Sequence, residues 1–257
     1  MPNWIRNKVM VGSKSKLIEL RKEYCTLDEK TKVEYFDFEK VVEMPKELKI
    51  EFSSESDDGL SLYLTKISPE VDYFGDNEDK ISKIDFINLK VKLSNHVTLI
   101  RDCILSKEEI KELKEKYKKE FDDVLMLGKK QINNLKMFNS INWYEWSIEH
   151  WGSKWNSINL QINEEEKYLT FDTAWNAAIP VMKEISKKHP NLKFALLYGD
   201  EVISVGTGYV LFGHGDIVFK GTFDDYSIDA FKLAMDIYDC HDLYQYNEVN
   251  DTYIRKH

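Results

Sequence analysis

The spacing of apolar residues predicts a strand followed by a helix at the start of the chain. Residues 7–11 place valines at alternate positions and lead into Gly12, which is the pattern of one face of a β-strand. Residues 16–24 place leucine and tyrosine side chains three and four positions apart, which is the pattern of one face of an α-helix. The chain is therefore expected to begin with a β-α unit.

The same two periodicities return after residue 157 in a longer series. Residues 157–162 alternate apolar and polar side chains, and 168–171 follow after a polar turn as the partner strand of a hairpin. A helix is expected to begin at residue 172 or 173, with Pro180 in its first turn, and to end before Pro190. Further strands are expected at 192–198, 201–211 and 216–219, the last two joined through Gly213-His214-Gly215.

Placed in chain order, these elements read βα, insertion, ββαβ, which is the order of a ferredoxin-like split βαβ fold. The predicted class is α+β: an antiparallel ferredoxin-like sheet with a large mixed α/β insertion and an added C-terminal hairpin and helix, the helix at 226–241. The ferredoxin-like domain is assigned to residues 1–25 and 157–257.

The predicted insertion covers residues 26–156 and has three parts. Its acidic part, 49–99, contains β-like pieces at 60–64 and 84–91. Its helical part, 106–138, begins with a capping box formed by Ser106 and Glu109. Its third part is a Trp-rich connector at 142–156.

Charge narrows the class of partner. The 257-residue chain has a net charge of −9 and a pI near 5.3, which disfavours general binding of nucleic acid, because phosphate affinity requires clustered Lys and Arg. Nine acids and one lysine give residues 51–79 a local charge of −8, and eight acids and one lysine give residues 224–251 a charge of −7. The simpler interpretation of such charge runs is ordinary solvated surface. The functional interpretation, which we carry forward, is an acidic docking surface for a protein with a basic groove. Its candidate residues are Glu55, Asp57, Asp58, Asp76, Glu78 and Asp79.

Several other classes of function are not indicated. The N-terminal residues lack the apolar core of a signal peptide, and no apolar run is long enough to span a bilayer, so we expect a cytoplasmic protein with no membrane partner. Cys25, Cys103 and Cys240 stand far apart, which suggests neither a disulfide framework nor a zinc site. We expect no cofactor and no metal, and the sequence carries no signal of oligomeric state.

The connector holds four tryptophans within the fifteen residues 142–156. Asn142 as a cap and Gly152 as a stop predict a short helix between them. The simpler interpretation is that these rings, with Trp4 and Trp175, form a core that joins the insertion to the sheet. The alternative is an aromatic pocket that stacks a nucleotide base and meets its phosphate through a lysine. The pocket residues would be Trp146, His150, Lys154 and Trp155.

Catalytic signatures are weak, and we assign no catalytic residue. Glu149 and His150 are adjacent and diverge on a helix, which disfavours a shared acid-base role. The Gly213-His214-Gly215-Asp216 run is better explained as a hairpin turn. Cys240-His241-Asp242 has no second pair of metal ligands, and Gly206-Thr207-Gly208 is no dinucleotide fingerprint.

Five segments of the chain resemble one family. They are MPNW at the start, EMPKEL at 43–48, WYEWSIEHWGSKWN at 143–156, FDTAWNAAIP at 171–180 and HPNLKFALLY at 189–198. Together they resemble the phage-borne Api-type family of uncharacterised proteins with a ferredoxin-like domain. The chain departs from the family pattern at Ile5, where a cysteine is common, and at Ala177-Ala178, where a proline pair is common.

The resemblance implies a ferredoxin-like fold and a phage or prophage setting, without an assigned activity. In that setting the expected compartment is the cytoplasm of the bacterial host, and the expected partner is a host protein with a basic groove. The expected function is that of a non-enzymatic accessory protein that binds a host macromolecule, such as an inhibitor of a nucleic-acid-targeting defence effector like a CRISPR nuclease. The alternative is a protein that binds or sequesters a small nucleotide signal through the Trp-rich stretch. A metal-dependent nuclease is a third class.

Overall fold

The computed structural model describes residues 2–51, 53–75, 79–94 and 104–256. The chain divides into two compact units. The sheet unit consists of Met1–Glu43 and Ser147–His257, and the helical unit of Met44–Trp146. The division falls within one helix, Trp143–Trp151.

The sheet unit contains a six-stranded antiparallel sheet with the order β4-β5-β1-β6-β7-β8. Its strands are β1 (Trp4–Val11), β4 (Ile158–Asn163), β5 (Tyr168–Ala174), β6 (Phe194–Asp200), β7 (Gly208–Gly213) and β8 (Asp216–Thr222). Helix α1 (Lys14–Tyr24) follows β1, and helix α8 (Ile179–Lys188) connects β5 to β6. The first four strands in the sheet order, with α1 and α8, form the predicted ferredoxin-like fold, and the β7-β8 hairpin extends it.

Alternation along β1 separates the two faces of the sheet. Ile5, Asn7, Val9 and Val11 are buried, whereas the residues between them are partly or fully exposed. Asn7 is polar and fully buried, and its amide is satisfied locally. It donates to the Thr173 hydroxyl at 2.8 Å and accepts from the backbone N–H of Ala178 at 3.0 Å. These two hydrogen bonds hold the segment between β5 and α8 against strand β1.

Apolar side chains of the two helices and the sheet form the core of the sheet unit. The fully buried contributors include Leu17 and Tyr24 from α1, Val181, Met182 and Ile185 from α8, and Leu169, Phe171, Leu196 and Val210 from the strands. Burial of each large apolar side chain contributes roughly 1.5–3 kcal/mol.

Smaller elements complete the sheet unit. They are β2 (Cys25–Leu27), β3 (Glu34–Phe36), α2 (Phe38–Val41), α9 (Ile228–Tyr238), β9 (Tyr244–Asn247) and β10 (Thr252–Arg255). Phe36 stacks on Phe171 of β5 with ring centroids 5.1 Å apart. Because such contacts tie residues 26–43 to the sheet, the boundary of the compact unit lies at residue 43, beyond the sequence-based boundary at residue 25.

The described residues of the helical unit are mostly α-helical. Its helices are α3 (Ser54–Ile67), α4 (Lys83–Ser94), α5 (Lys107–Tyr117) and α6 (Phe121–Phe138), followed by the start of α7 (Trp143–Trp151). The Ser106–Glu109 capping box of α5 is confirmed. The backbones of helices α3 and α6 are in direct contact where the helices cross. A Cβ on Gly128 would lie 1.8 Å from the carbonyl oxygen of Gly59. Glycine is therefore required at this crossing.

The expected β-like pieces at 60–64 and 84–91 are wrong, because both lie in helices. In α3 the buried residues Leu60, Leu64 and Ile67 follow one another at intervals of four and three. In α4 the β-branched residues occupy the exposed face, while phenylalanine and leucine side chains face the core. Periodicity cannot assign such short apolar runs, and packing around a shared core decides in favour of helix.

Two element boundaries also differ from the sequence-based expectation. Strand β5 continues to Ala174 because Ala174 pairs with Trp4 of β1, so helix α8 begins only at Ile179. Residues 201–207 form turns and not a strand, because the Asp200 carboxylate accepts the backbone N–H of Val202 at 2.8 Å and turns the chain.

Candidate functional site

Helix α7 ends in the segment Trp151-Gly152-Ser153-Lys154-Trp155. Each of the first three residues of this segment has a structural role. Gly152 has φ +74°, and a Cβ there would lie 2.7 Å from the carbonyl oxygen of Ala177 and 2.7 Å from Cδ of Pro180. No other residue fits this place without displacing backbone. The predicted helix stop at Gly152 is confirmed.

Trp151 belongs to the core. Its ring is 5% exposed, and its indole N–H donates to the carbonyl oxygen of Val42 at 2.9 Å. Trp146, in the helical unit, is also buried. Two of the four connector tryptophans are therefore buried, whereas the expectation of one core that includes all of these rings and Trp175 is wrong, since Trp155 and Trp175 are each 40% exposed.

Ser153 holds the segment against the end of strand β5. Its buried hydroxyl accepts the backbone N–H of Ala174 at 3.2 Å. The next residue, Trp175, has φ +69°, and the N–H of Asn176 donates to the carbonyl oxygen of Ala174 at 3.0 Å. This is a γ-turn in the strained, positive-φ form. The backbone N–H of Trp175 donates to the carbonyl oxygen of Asn3 at 2.9 Å, which fixes the turn to the start of β1.

These constraints bring three tryptophans around one lysine at the surface of the sheet unit. The Lys154 ammonium lies 4.6 Å from the ring centroid of Trp155 and 5.2 Å from that of Trp175. Trp4 packs against Trp155 with centroids 6.3 Å apart. Trp155 and Trp175 are each 40% exposed. We call Trp4, Lys154, Trp155 and Trp175 the tryptophan–lysine cluster.

The cluster differs in membership from the aromatic pocket predicted from sequence. Lys154 and Trp155 do come together, whereas Trp146 is buried in the helical unit and His150 is partly buried in the last turn of α7. The second ring beside Lys154 belongs to Trp175, whereas the sequence-based prediction assigned it to Trp146. The sequence signal for Trp175 was its position in FDTAWNAAIP, but its exposure depends on the γ-turn and on β1, which lies far away in sequence.

The predicted acidic docking residues are divided among different environments. Glu55, Asp57 and Asp58 lie in the first turns of α3 and not in a loop. Asp58 accepts from the Lys116 ammonium at 2.7 Å and from the Tyr117 hydroxyl at 2.6 Å. Asp76 and Glu78 lie outside the described residues.

Asp79 is also engaged within the helical unit. It binds Lys129 at 3.0 Å and Lys66 at 3.3 Å, and the hydrogen bond from Lys129 lowers the pKa of Asp79. Burial, with a smaller contribution from the charge of Asp58, raises the pKa of Asp57. Asp58 and Asp79 thus bind different lysines. Asp58 and Lys66, the α3 residue that binds Asp79, are separated by ~12 Å along the helix axis.

The second acidic segment, 224–251, presents its charge differently. Its carboxylates are all exposed, and in the part of the chain that the structure describes none lies within 4.0 Å of a Lys or Arg nitrogen. They are Asp224, Asp225, Asp229, Asp236, Asp239, Asp242, Glu248 and Asp251. We call this set the C-terminal acidic surface. Asp236 binds His241 at 2.6 Å, and Asp251 accepts from the Tyr246 hydroxyl.

The weaker catalytic candidates are not drawn together. The Gly213-His214-Gly215 run is the β7-β8 turn, as expected, with His214 and Gly215 both at positive φ. Burial raises the pKa of Cys25 to about 12 and also raises that of Cys240, which makes both thiols poor nucleophiles. Among residues 2–51, 53–75, 79–94 and 104–256, no three His, Cys, Asp or Glu side chains group as metal ligands. No helix within these ranges has both the length and the apolar stretch to cross a membrane.

Comparison with known proteins finds a family model that covers Lys154, Trp155 and Trp175 of the cluster. Residues 150–241 match the family model described as the ferredoxin-like domain in Api92-like protein. The crystal structure of a protein api92 from Yersinia pseudotuberculosis is similar to this chain, with 13% sequence identity and a TM-score of 0.36 over 87% of this chain and 99% of that chain. No curated protein matches the sequence significantly. The resemblance to the Api-type family is confirmed over residues 150–241, which are similar to the ferredoxin-like domain of Api92-like proteins.

Proposed function

We propose that this protein is a non-enzymatic accessory protein that binds a host macromolecule through the tryptophan–lysine cluster. The observation that carries the proposal is the exposure of two indole rings, 40% each, whose centroids lie 4.6 and 5.2 Å from the Lys154 ammonium. Tryptophan is a residue of the core or of an interface, and rigid exposed aromatic rings are the usual anchors of binding surfaces. The cluster lies partly within the matched domain, at residues 154, 155 and 175.

Backbone geometry explains how Trp175 reaches the surface. Its positive φ is unfavourable by about 1–3 kcal/mol, and the hydrogen bonds of the γ-turn hold the residue in this conformation. Here the γ-turn directs the ring to the surface beside Lys154, where the ring contributes less burial than it would in the core.

The charge of the chain indicates the kind of partner. The net charge of −9 and the C-terminal acidic surface favour a partner with a basic groove, because complementary potentials raise the association rate and exclude acidic surfaces. A host defence effector that handles nucleic acid has such a groove. We therefore retain inhibition of such an effector as the proposed role, in the phage or prophage setting that the resemblance implies.

Capture of a partner from bacterial lysate tests this function. The test variant is Trp155→Ser with Trp175→Asn, since asparagine tolerates the left-handed backbone at position 175. The matched control is Tyr226→Asn, which removes a 64% exposed aromatic ring at a position with φ 63° in the same unit. We expect one partner to be captured by wild type and by the control and lost with the double variant. Equal capture by all three would exclude the cluster as the binding surface.

A second candidate is the binding of a small nucleotide, favoured by the proximity of Lys154 to two exposed rings. A base stacked on an indole contributes ~1–3 kcal/mol, and the ammonium can meet a phosphate. Titration of nucleotides against tryptophan fluorescence distinguishes the two functions, with the double variant as reference. Quenching that saturates in wild type and disappears in the variant supports nucleotide binding, and an unchanged signal supports the macromolecular partner.

A further inference from the structure

A groove in the helical unit concentrates positive charge in an otherwise acidic chain. It has a volume of about 210 Å³ and is lined by Tyr73, Lys107, Ile110, Lys111 and Lys114. The three lysines lie at positions i, i+4 and i+7 of helix α5 and therefore share one face. They span ~10 Å along the helix axis.

The three ammonium groups lie apart from the carboxylates that the structure describes. In the described parts of the chain, no carboxylate lies within 4.0 Å of any of them, whereas Lys116 of the same helix binds Asp58 at 2.7 Å. The acidic residues 108, 112 and 115 lie further around the helix. The three lysines form like-charge pairs at spacings of four and three residues, which Glu108 and Glu115, three and four positions from Lys111, partly offset.

The walls of the groove are fixed by the core of the helical unit. Ile110 is buried with Leu62, Phe121 and Val124, and Tyr73 packs against this cluster. The Lys107 ammonium lies 5.3 Å from the Tyr73 ring. The capping box at Ser106 fixes the first turn of α5, from which Lys107 projects. The charged side chains thus surround a partly apolar floor with one aromatic ring.

We infer that this groove binds a multivalent phosphate anion, either a free polyphosphate or the phosphates of a nucleotide. Several ammonium groups around one groove match the charge of adjacent phosphate groups, and charge-assisted hydrogen bonds are among the stronger polar contacts in water. The volume suits a few phosphate groups or one small ring and is below the range of larger ligand sites. This inference does not depend on the tryptophan–lysine cluster, which belongs to the sheet unit.

Calorimetric titration of the full-length protein with tripolyphosphate and with ATP tests the inference. The test variant carries Lys107→Gln, Lys111→Gln and Lys114→Gln. The matched control carries Lys119→Gln, Lys130→Gln and Lys136→Gln, three exposed lysines of the same unit that do not line the groove. Both variants lower the net charge by three, and thermal unfolding establishes that both are folded.

We expect saturable binding of tripolyphosphate that weakens roughly tenfold or more in the groove variant and less than about threefold in the control. Absence of saturable binding of both probes to wild type, or an equal loss in both variants, would overturn the inference. Tyr73→Leu distinguishes the two sources of phosphate. A nucleotide site loses affinity for ATP and not for tripolyphosphate, and a polyphosphate site retains both.

Discussion

The indole nitrogen of Trp151 donates a hydrogen bond to the backbone carbonyl oxygen of Val42 at 2.9 Å. The ring also meets Phe38 edge-on, with centroids 6.0 Å apart. Four residues later, Trp155 is 40% exposed. The same residue type therefore has a core role and a surface role within one short motif.

Replacement of these two tryptophans should separate the roles. We expect Trp151→Ala to lower the free energy of unfolding by ~3–5 kcal/mol, because it leaves a cavity and an unsatisfied carbonyl group. Trp155→Ala should lower it by no more than about 1 kcal/mol, in contrast to a core assignment for all the tryptophans. Urea unfolding followed by circular dichroism measures both. Equal losses would contradict the surface position of Trp155.

Gly152 should tolerate no side chain. We expect Gly152→Ala to destabilise the protein by about 2 kcal/mol or more, since φ +74° is unfavourable for alanine and the added Cβ meets the Ala177 carbonyl oxygen at 2.7 Å. Gly12→Ala is the control, because nothing lies within 4 Å of a Cβ at that position. Its melting temperature should stay close to that of wild type. A stable Gly152→Ala protein would mean that the end of α7 adopts another conformation.

Glu145 should make stability depend on pH near neutrality. Burial raises the pKa of this carboxyl from 4.5 to about 7 in the folded protein. The folded state therefore holds the proton more tightly than the unfolded state. The resulting stabilisation is complete below pH 4.5 and is lost as the pH rises through about 7.

We expect Glu145→Gln to remove this dependence and to stabilise the protein at pH 8 by about 1 kcal/mol, a figure reduced for partial exposure of the side chain. Urea unfolding at pH 5 and pH 8 gives the comparison. A difference between wild type and variant that is the same at both pH values would refute an elevated pKa at Glu145.

Neutralisation of the predicted acidic docking residues should affect stability unevenly. The pKa of Asp79 is lowered by Lys129, so its contribution is present above the unfolded value of 3.8 and is lost as the pH falls. We expect Asp79→Asn to destabilise the protein by about 0.5 kcal/mol at pH 7 and by less at pH 3. Glu55→Gln, at an exposed position outside these ion pairs, should be neutral at both pH values. Thermal unfolding at low ionic strength tests this, and an unchanged Asp79→Asn protein would restore Asp79 as a free docking residue.

The sequence determined the elements whose signals are local. Alternation and helical spacing predicted β1, α1, the β4-β5 hairpin and the β7-β8 turn, and their order indicated the ferredoxin-like fold. Ser106 and Glu109 predicted the start of α5, and Gly152 predicted the end of α7. Each signal is carried by residues within a few positions of one another, which is why the chain alone reveals it.

Tertiary structure decided what depends on residues distant in sequence. Burial of Leu60 and Leu64 in a helical core made α3 a helix, although their short apolar run is also compatible with a strand. Pairing of Ala174 with Trp4, 170 positions earlier, extended β5 and placed Trp175 in a γ-turn beside Lys154. Lysines at 116 and 129 engaged acids at 58 and 79, which the local count of charges treats as free. The exposure and ion pairing of a side chain depend on which residues surround it in the folded protein, so composition alone could not assign them.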